Sequence, residues 1–276
     1  MKYGLIAGNG RFPILALEAA RKLGHEMVAV AIKEEAWPEV EQAAARCHWI
    51  SLGELSRLIE ILKSEGLEEV VLAGQVKHAQ IFSAIRPDWR LFKLLASLKE
   101  RNTAALIGAV VRLLEEEGIR VVDSTVFLKP LVAAEGVLTA RKPTREEAAD
   151  IDYGRRVAGA LAGFDIGQSV AVCERACVAV EAMEGTDAML RRAASLVNGR
   201  RLTLVKVGRR REHLLFDVPV VGVNTIPVMV ETGTTALAVD AGRTLLLDRE
   251  EMLRAADAGK IAIIGCEPAL YNGSID

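Results

Sequence analysis

The sequence lacks the features that mark several protein classes. Apolar residues make up 51% of its 276 positions, yet the longest uninterrupted apolar stretch runs only from Ala104 to Val111. That is far short of the roughly 20 residues a membrane-spanning helix requires. There is no excess of one charge either: 35 Lys and Arg stand against 37 Asp and Glu, a net charge of -2. The basic field that drives sequence-independent nucleic-acid binding is therefore missing, and DNA and RNA are poor partners. Residues Met1 to Gly8 do not carry the charged, apolar and small-residue succession of a secretory signal, so a cytoplasmic protein is expected.

Cysteine and histidine are sparse and dispersed. Cys47, Cys173, Cys177 and Cys266 have no C-x-x-C spacing, and they read as buried thiols rather than disulfides or redox centres. His25, His48, His78 and His213 form no H-E-x-x-H and no two-histidine-plus-carboxylate cluster, which argues against a zinc hydrolase.

What is present is the alternation of an α/β protein, long enough for two domains at roughly 150 residues each. Short β-rich runs at Tyr3–Ala7 and Met27–Ile32 flank a helical pattern over Arg11–Leu23, the mark of βαβ units on a parallel sheet. Leu55, Leu58, Ile59 and Leu62 repeat at i, i+3, i+4 and i+7 and predict a helix over Glu54–Glu65. Strands at Glu69–Ala73 and Ile119–Val122 follow, with a helix bearing Leu106, Val110, Leu113 and Leu114 between them. A polar break with Pro143, then Thr144 and Glu147 as a capping box, opens a different second half. The expected architecture is a Rossmann-like parallel-sheet domain over 1–138 and a mixed α/β domain over 139–276.

Four constellations could carry chemistry. Gly8-Asn9-Gly10 with Pro13 joins the first strand to the first helix, where glycines allow close approach of a phosphate and the helix N-terminus offers free N–H groups. A dinucleotide site would also want an acidic residue about 20 positions on, which Glu34 or Glu35 approximates; a plain tight turn is the alternative. Glu181, Glu184 and Asp187 surround Gly185 and Thr186 at a strand-to-helix turn, where oxygen ligands could hold a hard cation or Thr186 could simply cap the helix. Asp217 interrupts the apolar stretch between Phe216 and Val218, an expensive place for a carboxylate without a role. Gly222 with Asn224-Thr225 resembles a second turn into a helix N-terminus. Arg243, after Asp240-Ala241-Gly242, could clamp a phosphate or belong to a hairpin turn.

These segments, together with Leu72-Ala73-Gly74-Gln75-Val76 and Asp165-Ile166-Gly167-Gln168-Ser169, resemble a known family. It is the metal-dependent UDP-2,3-diacylglucosamine pyrophosphatases of lipid A biosynthesis with a Rossmann-like N-terminal domain, distinct from the metallophosphoesterase-type enzymes of the same step. The resemblance implies hydrolysis to UMP and 2,3-diacylglucosamine 1-phosphate, a magnesium requirement, and a substrate held between two domains. It makes Asp217 the catalytic residue, with Asp217, Glu184 and Asp187 as metal candidates. On the same segments the substrate-binding candidates are Gly8, Asn9, Gly10, Gln75, Gln168, Thr186, Gly222, Thr225 and Arg243. The chain departs from the family pattern at Glu212-His213-Leu214-Leu215, where Gln-Asp-x-Arg is usual. A diacylated substrate implies access to the inner membrane surface, and a homodimer is expected from the prevalence of symmetric assemblies. An NAD-dependent oxidoreductase built on the glycine turn, and a nucleotide-sugar-binding protein without catalysis, stand as alternatives.

Overall fold

The structure is a computed structural model that describes residues 1–76, 86–98, 103–123, 125–164, 166–208 and 218–268. It is an α/β chain that divides into two compact units, Met1–Lys129 and Pro130–Asp276. The division falls ahead of the polar break suggested by the sequence, for a visible reason. The Ala133 amide already donates to the Thr244 carbonyl at 2.8 Å, and strand β6 (Gly136–Val137) already pairs with the last strand of the second unit.

The first unit runs β1 (Lys2–Ala7), α1 (Phe12–Lys22), β2 (Glu26–Ile32), α2 (Glu39–Ala43), β3 (Arg46–Ile50), α3 (Leu55–Ser64) and β4 (Glu69–Ala73). It continues with α4 (Trp89–Ser97), α5 (Thr103–Glu116) and β5 (Arg120–Val122). Its five strands are all parallel in the order β3-β2-β1-β4-β5. Met27 to Ile32 of β2 are buried without a break, as expected of a parallel strand covered on both faces. The four α3 leucine and isoleucine positions picked out by their spacing, Leu55, Leu58, Ile59 and Leu62, are all buried. Strand order reverses between β1 and β4, so the loops that leave those two strands separate at the sheet's carboxyl edge, the usual location of ligands in open α/β sheets.

The second unit carries α6 (Arg145–Gly163), the hairpin β7 (Ser169–Cys173) and β8 (Ala176–Val180), α7 (Thr186–Leu196), β9 (Leu202–Lys206) and β10 (Val220–Val221). Then come α8 (Thr225–Glu231), β11 (Thr234–Asp240), β12 (Leu245–Leu246), α9 (Arg249–Ala258) and β13 (Ala262–Cys266). The main sheet has the order β6-β13-β11-β9-β7-β8, parallel through β13, β11 and β9 and antiparallel outside them. Helix α6 packs Ile151, Ala158 and Ala162 against Val170, Val172 and Val205. Met189, Leu190, Ile226, Met229 and Met252, from α7, α8 and α9, form a second cluster with Leu202, Leu204, Leu237 and Ile263. Because side chains alternate along a strand, the two clusters lie on opposite faces of the sheet. The turn at Gly242 is not a simple hairpin, since β11 and β12 do not pair: β12 pairs in parallel with β10.

Polar contacts fix α6 along its length. The predicted capping box is present: Thr144 Oγ1 accepts from the Glu147 amide at 3.2 Å and Glu147 Oε2 accepts from the Thr144 amide at 2.8 Å. Glu147 is only 2% exposed, and it takes both Arg141 guanidinium nitrogens at 2.8 Å and the Thr235 hydroxyl at 2.6 Å. One turn on, Asp150 accepts from the Arg175 amide at 2.7 Å and from Arg201 at 2.9 Å. Between these and the helix end, Gly154 lets the backbone approach the sheet.

Two outcomes follow from this packing. Burial by itself would raise the Glu147 carboxyl, but the Arg141, Thr235 and Thr144 donors outweigh it and hold the pKa at about 2, against 4.5 for an ordinary glutamate. A carboxyl with a depressed folded pKa stabilises the fold above its unfolded value and loses that contribution as pH falls through the folded one. Melting temperature should therefore drop between pH 4.5 and 2, and Glu147→Gln should flatten that drop in thermal melts across this range. At Gly154 a methyl group would lie 2.7 Å from Val205 Cγ2 and 2.9 Å from Val172 Cγ2. The clash, about 1–3 kcal/mol for overpacking, outweighs the gain of up to about 1 kcal/mol in helix propensity. Gly154→Ala is accordingly expected to melt several degrees lower than the parent.

Candidate functional site

In the first unit, the loops after β1 and β4 are built into each other. The Gly8 amide donates to the Ala73 carbonyl at 2.8 Å, the Asn9 amide to the Gln75 carbonyl at 2.7 Å, and the Gln75 amide back to Asn9 at 3.1 Å. Gly8, Asn9, Gly10 and Gln75, four of the sequence candidates, thus come together at the point where strand order reverses. The glycines have a cause the motif alone does not reveal. A Cβ on Gly8 would lie 2.6 Å from the Gln75 carbonyl oxygen, and one on Gly74, whose φ is +89°, would lie 2.6 Å from that of Asn9. Both are required by the approach of one loop to the other, whereas Gly10, at φ +96°, faces open space. Asn9 Nδ2 donates to Glu35 Oε2 at 3.4 Å, so of the two acidic candidates beyond β2 it is Glu35, 4% exposed, that reaches the glycine turn.

In the second unit, four side chains converge at the carboxyl end of β9. The Lys206 ammonium, 11% exposed, lies 3.8 Å from Glu181 Oε2 and donates to Thr186 Oγ1 at 3.1 Å and Ser169 Oγ at 3.3 Å. Thr186 Oγ1 in turn donates to Glu181 Oε1 at 2.9 Å. Thr186 is therefore not the cap of α7. The cap position is Gly185, at φ +86°, and the threonine hydroxyl is engaged by the strand ends instead. An ammonium held beside a helix N-terminus suits the binding of a phosphoryl oxygen. Neither Lys206 nor Glu181 stood among the substrate candidates; their signal was a charged residue at the end of each of two apolar strands.

Beside them, at the end of β11, sits Asp240. It is 1% exposed, accepts from the Gly208 amide at 2.9 Å, and faces Arg155 of α6 at 3.5 Å, an ion pair too long to be a good hydrogen bond. Burial raises its pKa, against the lowering effect of the Gly208 amide and of Arg155 and Arg243. Arg243 runs alongside Gly208, with its Cδ 3.6 Å from where a Cβ would stand. Perturbed carboxyls at strand ends are frequent participants in catalysis. Asp217, the catalytic candidate, lies outside the described residues, as do Phe216 and Glu212 to Leu215.

The remaining candidates are placed as follows. The Gln168 carbonyl accepts from the Val207 amide at 2.9 Å, which puts it at the same carboxyl edge as Lys206. The Thr225 amide is occupied by the Gly222 carbonyl at 3.1 Å, and its hydroxyl donates to Asp187 at 3.4 Å. Glu184 pairs with Arg192 at 2.5 Å; its carboxyl is held at about 2, chiefly by its own backbone amide and the Arg192 side chain. Among the described residues, no three His, Cys, Asp or Glu side chains come together to hold a metal. As for the cysteines, Cys173 is buried and the other three are half-buried. Burial, with Glu41 nearby, pushes the Cys47 thiol up to about 11.

Two family models match this chain, the LpxI N-terminal domain over residues 2–131 and the LpxI C-terminal domain over 134–264. The chain belongs to the LpxI family. The UDP-2,3-diacylglucosamine pyrophosphatase LpxI of Caulobacter vibrioides is 34% identical over 97% of this chain and 98% of its own length. The LpxI domain limits nearly coincide with the two compact units. Among solved structures, pyruvate carboxylase T882A of Rhizobium etli is 15% identical with a TM-score of 0.28, covering 44% of this chain and 11% of its own. Glycinamide-RNase-transformylase T of Mycobacterium tuberculosis is 14% identical with a TM-score of 0.29, covering 63% and 38%. Likeness at that level carries no argument about this LpxI-family chain.

Asp240 gives a test independent of turnover. Its folded pKa is raised, so raising the pH through the unfolded value of 3.8 and on through the folded one subtracts stability. Asp240→Asn keeps an oxygen for the Gly208 amide and removes this loss. The variant is expected to gain in melting temperature relative to the parent as pH rises above 3.8, measured by thermal melts.

Proposed function

We infer that this chain is a UDP-2,3-diacylglucosamine pyrophosphatase, a hydrolase that cleaves the pyrophosphate bond to give UMP and 2,3-diacylglucosamine 1-phosphate, lipid X, in lipid A biosynthesis. The observation that carries the reading is the match along 97% of the chain to a pyrophosphatase of that name, with family models covering both units. Pyrophosphate cleavage needs charge neutralised on phosphoryl oxygens and a water oriented for attack. Lys206, beside the N-terminus of α7, and Arg243 are suited to the first task. Asp217 is the residue proposed for catalysis, in line with the family resemblance, and Gly8, Asn9, Gly10, Gln75, Gln168, Thr186, Gly222 and Thr225 are the proposed substrate contacts.

Magnesium belongs to the proposal as the cofactor, in the metal-dependent type distinct from metallophosphoesterases. The described carboxylates do not by themselves make its cage: Glu184 is bound to Arg192 and Glu181 faces Lys206. Asp187 and Asp217 therefore remain the ligands to test ahead of Glu184, and no step is routed through the ion. The reading also places a Rossmann-like domain at the N-terminus and the protein in the cytoplasm as a homodimer with access to the inner membrane. Among the described residues, no helix is long and apolar enough to cross a membrane. An oxidoreductase gains no support from the glycine turn, because Gly8 and Gly74 are explained by the contact between their loops.

Incubation of the protein with UDP-2,3-diacylglucosamine in magnesium or in EDTA, with products followed by mass spectrometry, tests the whole reading. UMP and diacylglucosamine 1-phosphate are expected with magnesium only, and Asp217→Asn is expected to lose at least roughly a hundredfold in rate. Substrate binding without products would leave a nucleotide-sugar-binding protein.

A further inference from the structure

Apolar side chains exposed singly are normal on a protein surface. Helix α4 is different. Its residues Leu91, Leu94 and Leu95 fall on one face, with Leu91 4% exposed, while Trp89 and Phe92 fall on the other and are 66% and 54% exposed. The two rings are stacked, with centroids 5.9 Å apart and planes within 15°. The Lys93 ammonium sits over the Trp89 ring, 5.0 Å from its centroid. Asp88 anchors the helix, accepting from the Leu91 amide at 2.9 Å and from the Ser56 amide of α3 at 2.6 Å, and its own amide donates to Gly53 at 2.9 Å. The aromatic face is thus presented on a capped helix tied to its neighbour.

We propose that the outer face of α4, Trp89 and Phe92 with Lys93, docks the protein onto an anionic phospholipid surface. Tryptophan is enriched where one end of a side chain is apolar and the other wet, as at the headgroup level of a bilayer. The charge at the patch selects this occupant over a protein partner. Lysine is depleted at the core of protein–protein interfaces, and an ammonium buried there would need a partner. At a bilayer surface the same ammonium meets lipid phosphates while the rings enter the apolar boundary. Arg86 flanks the patch, Arg90 beside it is paired with Glu117, just after α5, at 2.5 Å, and the one acidic residue of the 86–98 segment, Asp88, is occupied as the helix cap. The proposal deepens the pyrophosphatase reading, on which it rests for the reason a lipid surface is visited: the substrate is a diacylated lipid.

The test uses the full chain and vesicles of phosphatidylethanolamine with phosphatidylglycerol, compared with phosphatidylcholine alone, in a flotation assay. The parent is expected to float with the anionic vesicles. Trp89→Ser combined with Phe92→Ser should weaken that binding by roughly tenfold or more, and Lys93→Glu by about fivefold or more. On a short-chain, water-soluble analogue the double variant should turn over like the parent, and on substrate carried in anionic vesicles it should be slower. Failure of the parent to float, or equal binding by the double variant, would overturn the proposal. So would a dimer that dissociates in the double variant by light scattering, since the patch would then be a contact between copies. Vesicle binding is read without turnover, so a protein that floats but hydrolyses nothing defeats the pyrophosphatase reading alone, and one that hydrolyses but does not float defeats only the docking face.

Discussion

Parallel strand pairing is the constraint on which both units depend. A parallel strand cannot be joined to its neighbour by a tight turn, so each pair demands a crossover, and helices come to cover both faces of the sheet. In the first unit all five strands obey this, and in the second the central strands β9, β11 and β13 do. With both faces closed to ligands, the sheet edge where strands end is the surface left for chemistry. The polar groups of note gather there: Asn9 and Gln75 in one unit, Lys206, Asp240 and Gln168 in the other.

Helix α6 shows how such an edge is held in place. Its Glu147 reaches the start of β11 through Thr235, and its Arg155 reaches the end of the same strand at Asp240. Between them Gly154 brings the helix backbone against Val172 and Val205. Buried carboxylates are tolerated along this line because each has cationic or N–H partners. The two ends differ in kind. Glu147 has a full set of close donors and a lowered pKa, whereas Asp240 has one close amide, a more distant arginine and a raised pKa. The first carboxylate is fully satisfied by close donors, whereas the second keeps one buried oxygen without a hydrogen bond among the described residues.

Much of the fold was legible in the sequence because its signals are local. The α3 leucine pattern, the Thr144–Glu147 capping box and the apolar runs of β1, β2 and β4 each announce one element. Strand β3, Arg46–Ile50, did not: it is an edge strand with a polar sequence and partly exposed side chains, so the apolar signal is missing. Helix α4 went unread as well, since its aromatic face is turned outward. The candidate site was legible as segments rather than as contacts. Gly8 and Gln75 were both singled out, but their pairing depends on the adjacency of β1 and β4, which strand order alone determines. Thr186 looked like a helix cap because capping residues are recognised by position, and only the placement of Glu181 and Lys206 redirects its hydroxyl.

The interlocked loops at β1 and β4 also bear on how such a site can diversify. Gly8 leaves room for the backbone of Gln75, and Gly74 for that of Asn9 and Gly8, so no side chain at one can compensate for a side chain at the other, and both positions are closed to drift. Asn9 and Gln75 contribute only backbone atoms to the interlock. The Asn9 side chain is tied to the buried Glu35, but that of Gln75 can be exchanged while the loop geometry persists, which makes position 75 the place where a new ligand preference could arise without first destabilising the sheet edge that supports it.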